Sequence, residues 1–191
     1  MTASIETKCA SAKGARRVRD GKTSELEEVR YATAESELGC VLVARSDKGV
    51  CAILLGDDAN GVADDLRLRI PAARVEQGDD ACSYIAVTLA AHVEDPSVPL
   101  DFTLDARGTP FQIRVWKALR AIPTGMTVSY TELARQVGAP EAVRAVASAC
   151  GANPVALAVP CHRVVSKDGS LGGYRWGVER KRALLDREKR S

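Results

Sequence analysis

From Val29 to Leu55 the chain alternates short apolar runs with polar breaks. The runs Val29–Thr33, Gly39–Arg45 and Gly49–Leu55 are separated by Glu35-Ser-Glu37 and Ser46-Asp-Lys-Gly49, which predicts an antiparallel meander of three strands. The period then lengthens. Helices are expected over about 61–70 and 80–93, followed by a strand near Val98–Leu104. Residues 1–28 mix Lys, Arg, Ser, Gly and Glu without apolar periodicity and read as a flexible leader.

Asp105-Ala-Arg-Gly108 reads as a link, because a helix start follows at once. Thr109 stands at the cap, Pro110 at the first helical position and Gln112 three residues after the cap, so a helix should run to about Ala121 and stop before Pro123. Ser129-Tyr-Thr-Glu132 is a second capping box, opening a short helix that ends near Gly138. Gly138-Ala-Pro140 turns the chain into a helix over about 141–150, and two helices joined in this way have the form of a helix-turn-helix. Residues 155–159 are expected to form a buried strand. An amphipathic helix over about 177–190 should pack through Val178, Ala183, Leu184 and Leu185. The expected fold is an α/β domain with a small antiparallel sheet and helices over 29–106, then a mainly α domain with a helix-turn-helix over 107–191.

Charge sharpens this division. Residues 31–106 carry 14 acidic and 5 basic side chains, net −9, whereas residues 107–191 carry 6 acidic and 15 basic, net +9. The overall +2 therefore conceals a basic half suited to a polyanion, although two solvated surfaces of different sign give the same count. The N-terminus has no apolar core of signal-peptide length and no segment is long enough to span a bilayer, so a soluble intracellular protein is expected. The six cysteines (9, 40, 51, 82, 150, 161) form no CxxC pair and read as free, mostly buried thiols. With only His92 and His162 available, no zinc site is expected. No apolar stripe is left over, which suggests a monomer.

The candidate chemistry is in Val159-Pro-Cys-His-Arg-Val-Val165. A cysteine beside a histidine suggests a nucleophilic thiolate with a base at hand. In a regular strand Cys161 and His162 would point to opposite faces, so a turn or a bridging water must connect them. Upstream, the helix containing Ala142, Ala145, Ala147, Ser148 and Ala149 has Arg144 as its one long side chain. Such a helix can pack closely on a neighbour, or let its backbone approach DNA while Arg144 reaches in. Asn153 suits a helix exit and Tyr130 a half-buried ring, but each also has a polar group to offer the thiol or a leaving atom.

Arg144-Ala-Val-Ala-Ser-Ala-Cys150, Asn153-Pro154, Pro160 to Val165 and Gly173-Tyr-Arg-Trp-Gly177 resemble the active-site domain of the O6-alkylguanine-DNA alkyltransferases, in particular the bacterial adaptive-response branch. The likeness extends more loosely through Val29-Arg-Tyr-Ala32 and Cys51-Ala-Ile-Leu-Leu-Gly-Asp-Asp58. It implies a ribonuclease H-like N-terminal domain and direct, single-turnover transfer of an alkyl group from guanine O6, or thymine O4, to Cys161, with no cofactor. It further implies that His162 acts on the thiol through water and is oriented by Glu188, that Asn153 braces the turn, and that Tyr130 donates to the departing guanine. Arg144 would fill the gap left by the flipped nucleotide, with Thr131, Ala142, Ala145 and Lys167 also at the DNA. Val164, Tyr174 and Arg175 would line the base pocket, where Arg175 replaces the small residue of eukaryotic relatives. The implied partner is duplex DNA bearing the lesion, in a bacterial cytoplasm, with no membrane and no obligate protein partner. A non-catalytic DNA-recognition protein and a Cys-His-Glu thiol hydrolase are the competing classes, and the second lacks an evident oxyanion loop.

Overall fold

The computed structural model describes residues 26–190. Most of the expected leader lies outside the described residues, but Glu27 and Glu28 already belong to the first strand. Strands β1 (Glu27–Ser36), β2 (Gly39–Ser46) and β3 (Gly49–Gly56) form the expected antiparallel meander, with Thr33 opposite Leu42 and Val43 opposite Ile53. Central β2 is almost wholly buried, which explains its near-continuous apolar run. Helix α1 (Ala59–Arg69) packs on β2 and β3, and α2 (Asp80–Glu94) on β1 and β2.

Three expectations are corrected here. The sheet is mixed, because β4 (Ala73–Gln77) joins the edge beside β1 in parallel, giving the order β3-β2-β1-β4. Its Ala-Arg-Val-Glu-Gln is short and largely exposed, so no apolar pattern announced it. The segments 98–104 and 155–159 are not strands; each makes one parallel bridge to the outer edge of β3, Leu104 with Val50 and Val155 with Ile53. Pro99 breaks the first. The second turns at Leu157, whose φ of 67° is incompatible with a strand. Together they cover the edge of β3: Thr103 and Pro154 carbonyls accept from Val50 N–H at 2.8 Å and Ile53 N–H at 2.9 Å.

The second half contains α3 (Pro110–Arg120), β5 (Val128–Ser129), α4 (Tyr130–Gln136), α5 (Val143–Gly151), β6 (Val164–Val165) and α6 (Val178–Glu188). Both capping boxes are formed, Thr109 with Gln112 and Ser129 with Glu132. In α6, Leu184 and Leu185 are buried, but Val178 is 37 % exposed and does not pack as expected. One apolar cluster runs from the sheet through α3, α4 and α5 to α6. No helix among the described residues is long and apolar enough to cross a membrane.

Candidate active site

Asn153 follows α5, and its fully buried side chain organises the turn that carries the thiol. Its Oδ1 accepts from Val155 N–H at 3.1 Å, while Nδ2 donates to Val159 O at 2.8 Å and to Cys161 Sγ at 3.3 Å. Since the Ile53 N–H holds Pro154 O and Ile53 O holds the Ala156 N–H, the same turn is fastened to the sheet. Cys161, His162 and Arg163 then form one 3₁₀ turn, not a strand, and all three are buried.

His162 and Cys161 share no hydrogen bond among the described residues. His162 Nε2 lies 2.7 Å from Glu188 Oε1. Burial pushes the His162 ring towards its neutral form, against the pull of Glu188. Burial also acts to raise Glu188, yet the bonds from His162 and Arg163 prevail and hold it at about 2. An ionised carboxylate only accepts, so Nε2 carries the ring hydrogen and Nδ1 keeps its lone pair. Nδ1 is buried and has no hydrogen-bond partner among the described residues, which leaves it free to take a proton. Arg163 secures the carboxylate through Nε, at 3.0 Å from both oxygens, and spans to Ile122 O at 2.5 Å and Thr124 Oγ1 at 3.1 Å.

Cys161 opens on a cavity of about 560 Å³ lined by Tyr130, Ala147, Cys150, Gly151, Gly173, Tyr174 and Arg175. Burial pushes the Cys161 thiol up, while the Asn153 amide, the Lys181 ammonium and Arg175 pull it down. Burial likewise raises Tyr130, which is therefore a neutral phenol able to donate. The Tyr174 hydroxyl is buried and has no hydrogen-bond partner among the described residues, and its ring meets Trp176 edge-on at 5.2 Å.

Cys161, His162, Asn153 and Glu188 are thus brought together, and Tyr130, Tyr174 and Arg175 stand on the cavity wall. Val164 does not: it is fully buried in β6, which pairs it with Val128, so the pocket assignment is corrected. Trp176 is buried beside Tyr174 rather than on the wall. Arg144 and Ala145 are exposed in the first turn of α5, with Ala142 at its cap. Arg144 precedes Ala147, which lines the cavity, by three residues and so shares its helix face, but it is not itself among the lining residues. Thr131 is half-buried in α4, and Lys167 is exposed in the turn after β6.

Lys181, Arg163 and Cys150 were missed. Lys181 is wholly buried and donates to Val164 O at 2.6 Å and to Leu171 O, tying α6 to both the thiol turn and the cavity loop. The signal was available: 181, 184, 185 and 188 share one face of α6, so two charged residues lay on its apolar stripe. The five described cysteines are free thiols, and Cys9 lies outside the described residues. No group of three or more His, Cys, Asp or Glu side chains among the described residues is placed to hold a metal.

Residues 110–190 match the family model for the DNA-binding domain of 6-O-methylguanine DNA methyltransferase. The chain is 53% identical over 160 residues to the bifunctional transcriptional activator/DNA repair enzyme Ada of Escherichia coli, covering 84% of this chain but only 45% of that protein. It is 46% identical over 125 residues to the inducible methylated-DNA--protein-cysteine methyltransferase of Bacillus subtilis, covering 65% of this chain and 70% of that one. Among solved structures, the Mycobacterium tuberculosis OGT in complex with DNA superposes with a TM-score of 0.70 at 39% identity, covering 85% and 93% of the two chains.

Proposed function

The chain belongs to the methylated-DNA--protein-cysteine methyltransferases, and from that membership we propose that it repairs DNA by moving the methyl group of O6-methylguanine onto Cys161. The observation that carries the reading is a buried thiol that opens on a cavity and lies in one turn with a neutral histidine held by a carboxylate. In the proposed step the Cys161 proton passes to His162 Nδ1 through a water, and Sγ attacks the methyl carbon in line. The S–CH₃ bond forms as the O6–CH₃ bond breaks. Guanine leaves as its anion and takes a proton through the Tyr130 phenol, which is reprotonated from solvent as His162 releases the proton it took from Cys161. A neutral thioether is a poor electrophile towards water and towards the Cys150 thiol on the same cavity wall, which burial keeps un-ionised, so each chain reacts once. Thymine O4 offers the same chemistry and is included.

The methyl carbon lies inside the duplex stack, so the nucleotide must be rotated into the cavity. We read α4, the turn at Gly138 and α5 as a helix-turn-helix that delivers Arg144 to the gap. Exposure of Arg144 and Ala145 in the first turn of α5 supports this reading. Thr131, Ala142 and Lys167 are proposed as flanking backbone contacts. The strand order β3-β2-β1-β4, parallel only in its last pair, supports a ribonuclease H-like reading of the first half, with the division at Asp105–Gly108. DNA as substrate and the bacterial relatives favour the bacterial cytoplasm. The chain spans less than half of the Escherichia coli relative, so the regulatory activity in that protein's name is not assigned to it.

Incubation with an O6-methylguanine duplex, followed by intact-protein mass measurement, tests the proposal. A permanent gain of one methyl per chain is expected. Binding without any gain would mean a recognition protein, and an adduct that decays with time would mean a hydrolase.

A further inference from the structure

Helix α6 presents two charged pairs, each seven residues apart. Lys181 and Glu188 face the thiol turn, and the adjacent face carries Arg180 and Arg187. Both arginines run to the acidic half of the molecule and meet there at one β-turn. Arg180 Nε donates to Leu38 O at 2.7 Å, in the turn between β1 and β2, and its guanidinium also holds Trp176 O and Asp57. Arg187 donates to Val93 O at 2.9 Å, a carbonyl in the last turn of α2, and pairs with Glu37 of the same β-turn and with Glu94. The Glu37 N–H in turn donates to Glu94 Oε1 at 2.7 Å, so the β-turn, the end of α2 and the end of α6 are joined in one knot.

Glu188 is the last residue of α6, followed only by a short turn through Lys189 and Arg190, and helix ends of this kind ordinarily fray. Here it must keep a 2.7 Å bond to His162. Its chain neighbour Arg187 has a side chain only 11% exposed, whereas the paired Glu37 carboxylate is 73% exposed. The bonds of a buried guanidinium to backbone carbonyls are the stronger anchors, and Glu37 is in direct contact with the same guanidinium, so a cation placed at position 37 would oppose it.

We propose that Arg187, supported by Arg180, is a positioning residue for the acceptor thiol: the N-terminal half grips α6 through these arginines and so holds Glu188 against His162. The acidic half is then part of the chemistry rather than a passive neighbour of the DNA-binding half. The inference rests on the relay of Cys161, His162 and Glu188 proposed above. A grip lost at Arg187 leaves the cavity and α5 untouched, so DNA affinity should not change while the thiol becomes harder to ionise.

The test compares Arg187→Met, Arg187→Lys and Glu188→Gln in the full chain, reading the single-turnover rate on an O6-methylguanine duplex, its pH profile and duplex affinity. Arg187→Met is expected to slow transfer about tenfold, the scale of losing an orienting partner. It should shift the rate profile to higher pH in the same direction as Glu188→Gln and leave duplex affinity unchanged, and Arg187→Lys should recover most of the rate. If Glu188→Gln slows transfer but Arg187→Met does not, or slows it without moving the pH profile, the proposal is overturned and the relay stands. If Glu188→Gln has no effect, the relay reading fails and takes the proposal with it. Should Arg187→Met not fold, Glu37→Lys at the exposed turn repels the same guanidinium without disturbing the core. A smaller slowing with the same pH shift supports the grip, and an unchanged rate overturns it.

Discussion

Replacing Glu188 by glutamine tests the buried relay through stability as well as rate. The carboxylate is 3% exposed and accepts from His162, from Arg163 and, at 3.2 Å, from the Gly125 N–H. Glutamine keeps the shape and one acceptor oxygen but removes the negative charge, so the buried Arg163 cation is left with neutral acceptors: that amide oxygen, Ile122 O and Thr124 Oγ1. Breaking a buried ion pair on one side costs about 3–5 kcal/mol, and the retained acceptor places this case at the low end. A carboxyl held at about 2 against an ordinary 4.5 gives an independent figure of about 3 kcal/mol. Because the folded value is depressed, this stabilisation is fully present above about pH 4.5 and is lost as pH falls through 2. Urea unfolding at pH 7 should therefore show the variant about 3 kcal/mol less stable, with a melting temperature about 6–12 °C lower. The gap between the two proteins should close progressively below pH 4.5. Equal stability at pH 7, or a gap that persists unchanged at pH 2–3, would refute the ionised, doubly paired state of Glu188.

Asn153→Ala removes the bonds to Val159 O, Val155 N–H and Cys161 Sγ; it should destabilise by about 2 kcal/mol and raise the thiol pKa, measured by urea unfolding and thiol titration. Arg144→Ala should slow repair of a well-paired lesion more than repair of a mispaired or single-stranded one, since those need less unstacking; equal slowing in single-turnover assays would make Arg144 an ordinary phosphate contact. Neutralising the exposed Lys167 should weaken duplex binding uniformly across sequences and lower its salt slope by about one, read from binding titrations at several salt concentrations.

The elements with local causes were legible in the sequence. The capping boxes at Thr109 and Ser129 depend on residues three apart, and the meander on period-two runs, so a short window sufficed. Where partners are distant, the sequence was silent or misleading. β4 is strand only because β1 offers it a backbone edge, and Val155–Val159 is apolar because it is buried, not because it is extended. Strand geometry alone called for a turn or a bridging water between Cys161 and His162; the backbone makes a 3₁₀ turn there, and the two side chains share no direct hydrogen bond among the described residues. The pairing of His162 with Glu188 came from family likeness, since 26 residues separate them. Lys181 lay on the apolar face of α6 and was legible there, whereas Arg187 stands among charges that resemble a solvated surface and only its contacts set it apart.

The most direct measurement of the central claim is a titration of O6-methylguanine duplex against the protein, with the product chain mapped by peptide mass spectrometry. Repair should stop at one lesion per chain, with the methyl group on the peptide containing Cys161 and none on Cys150 in the same cavity. Cys161→Ala should bind the duplex and transfer nothing. Continued turnover beyond one equivalent, a methyl group on another residue, or transfer by Cys161→Ala would contradict the assignment.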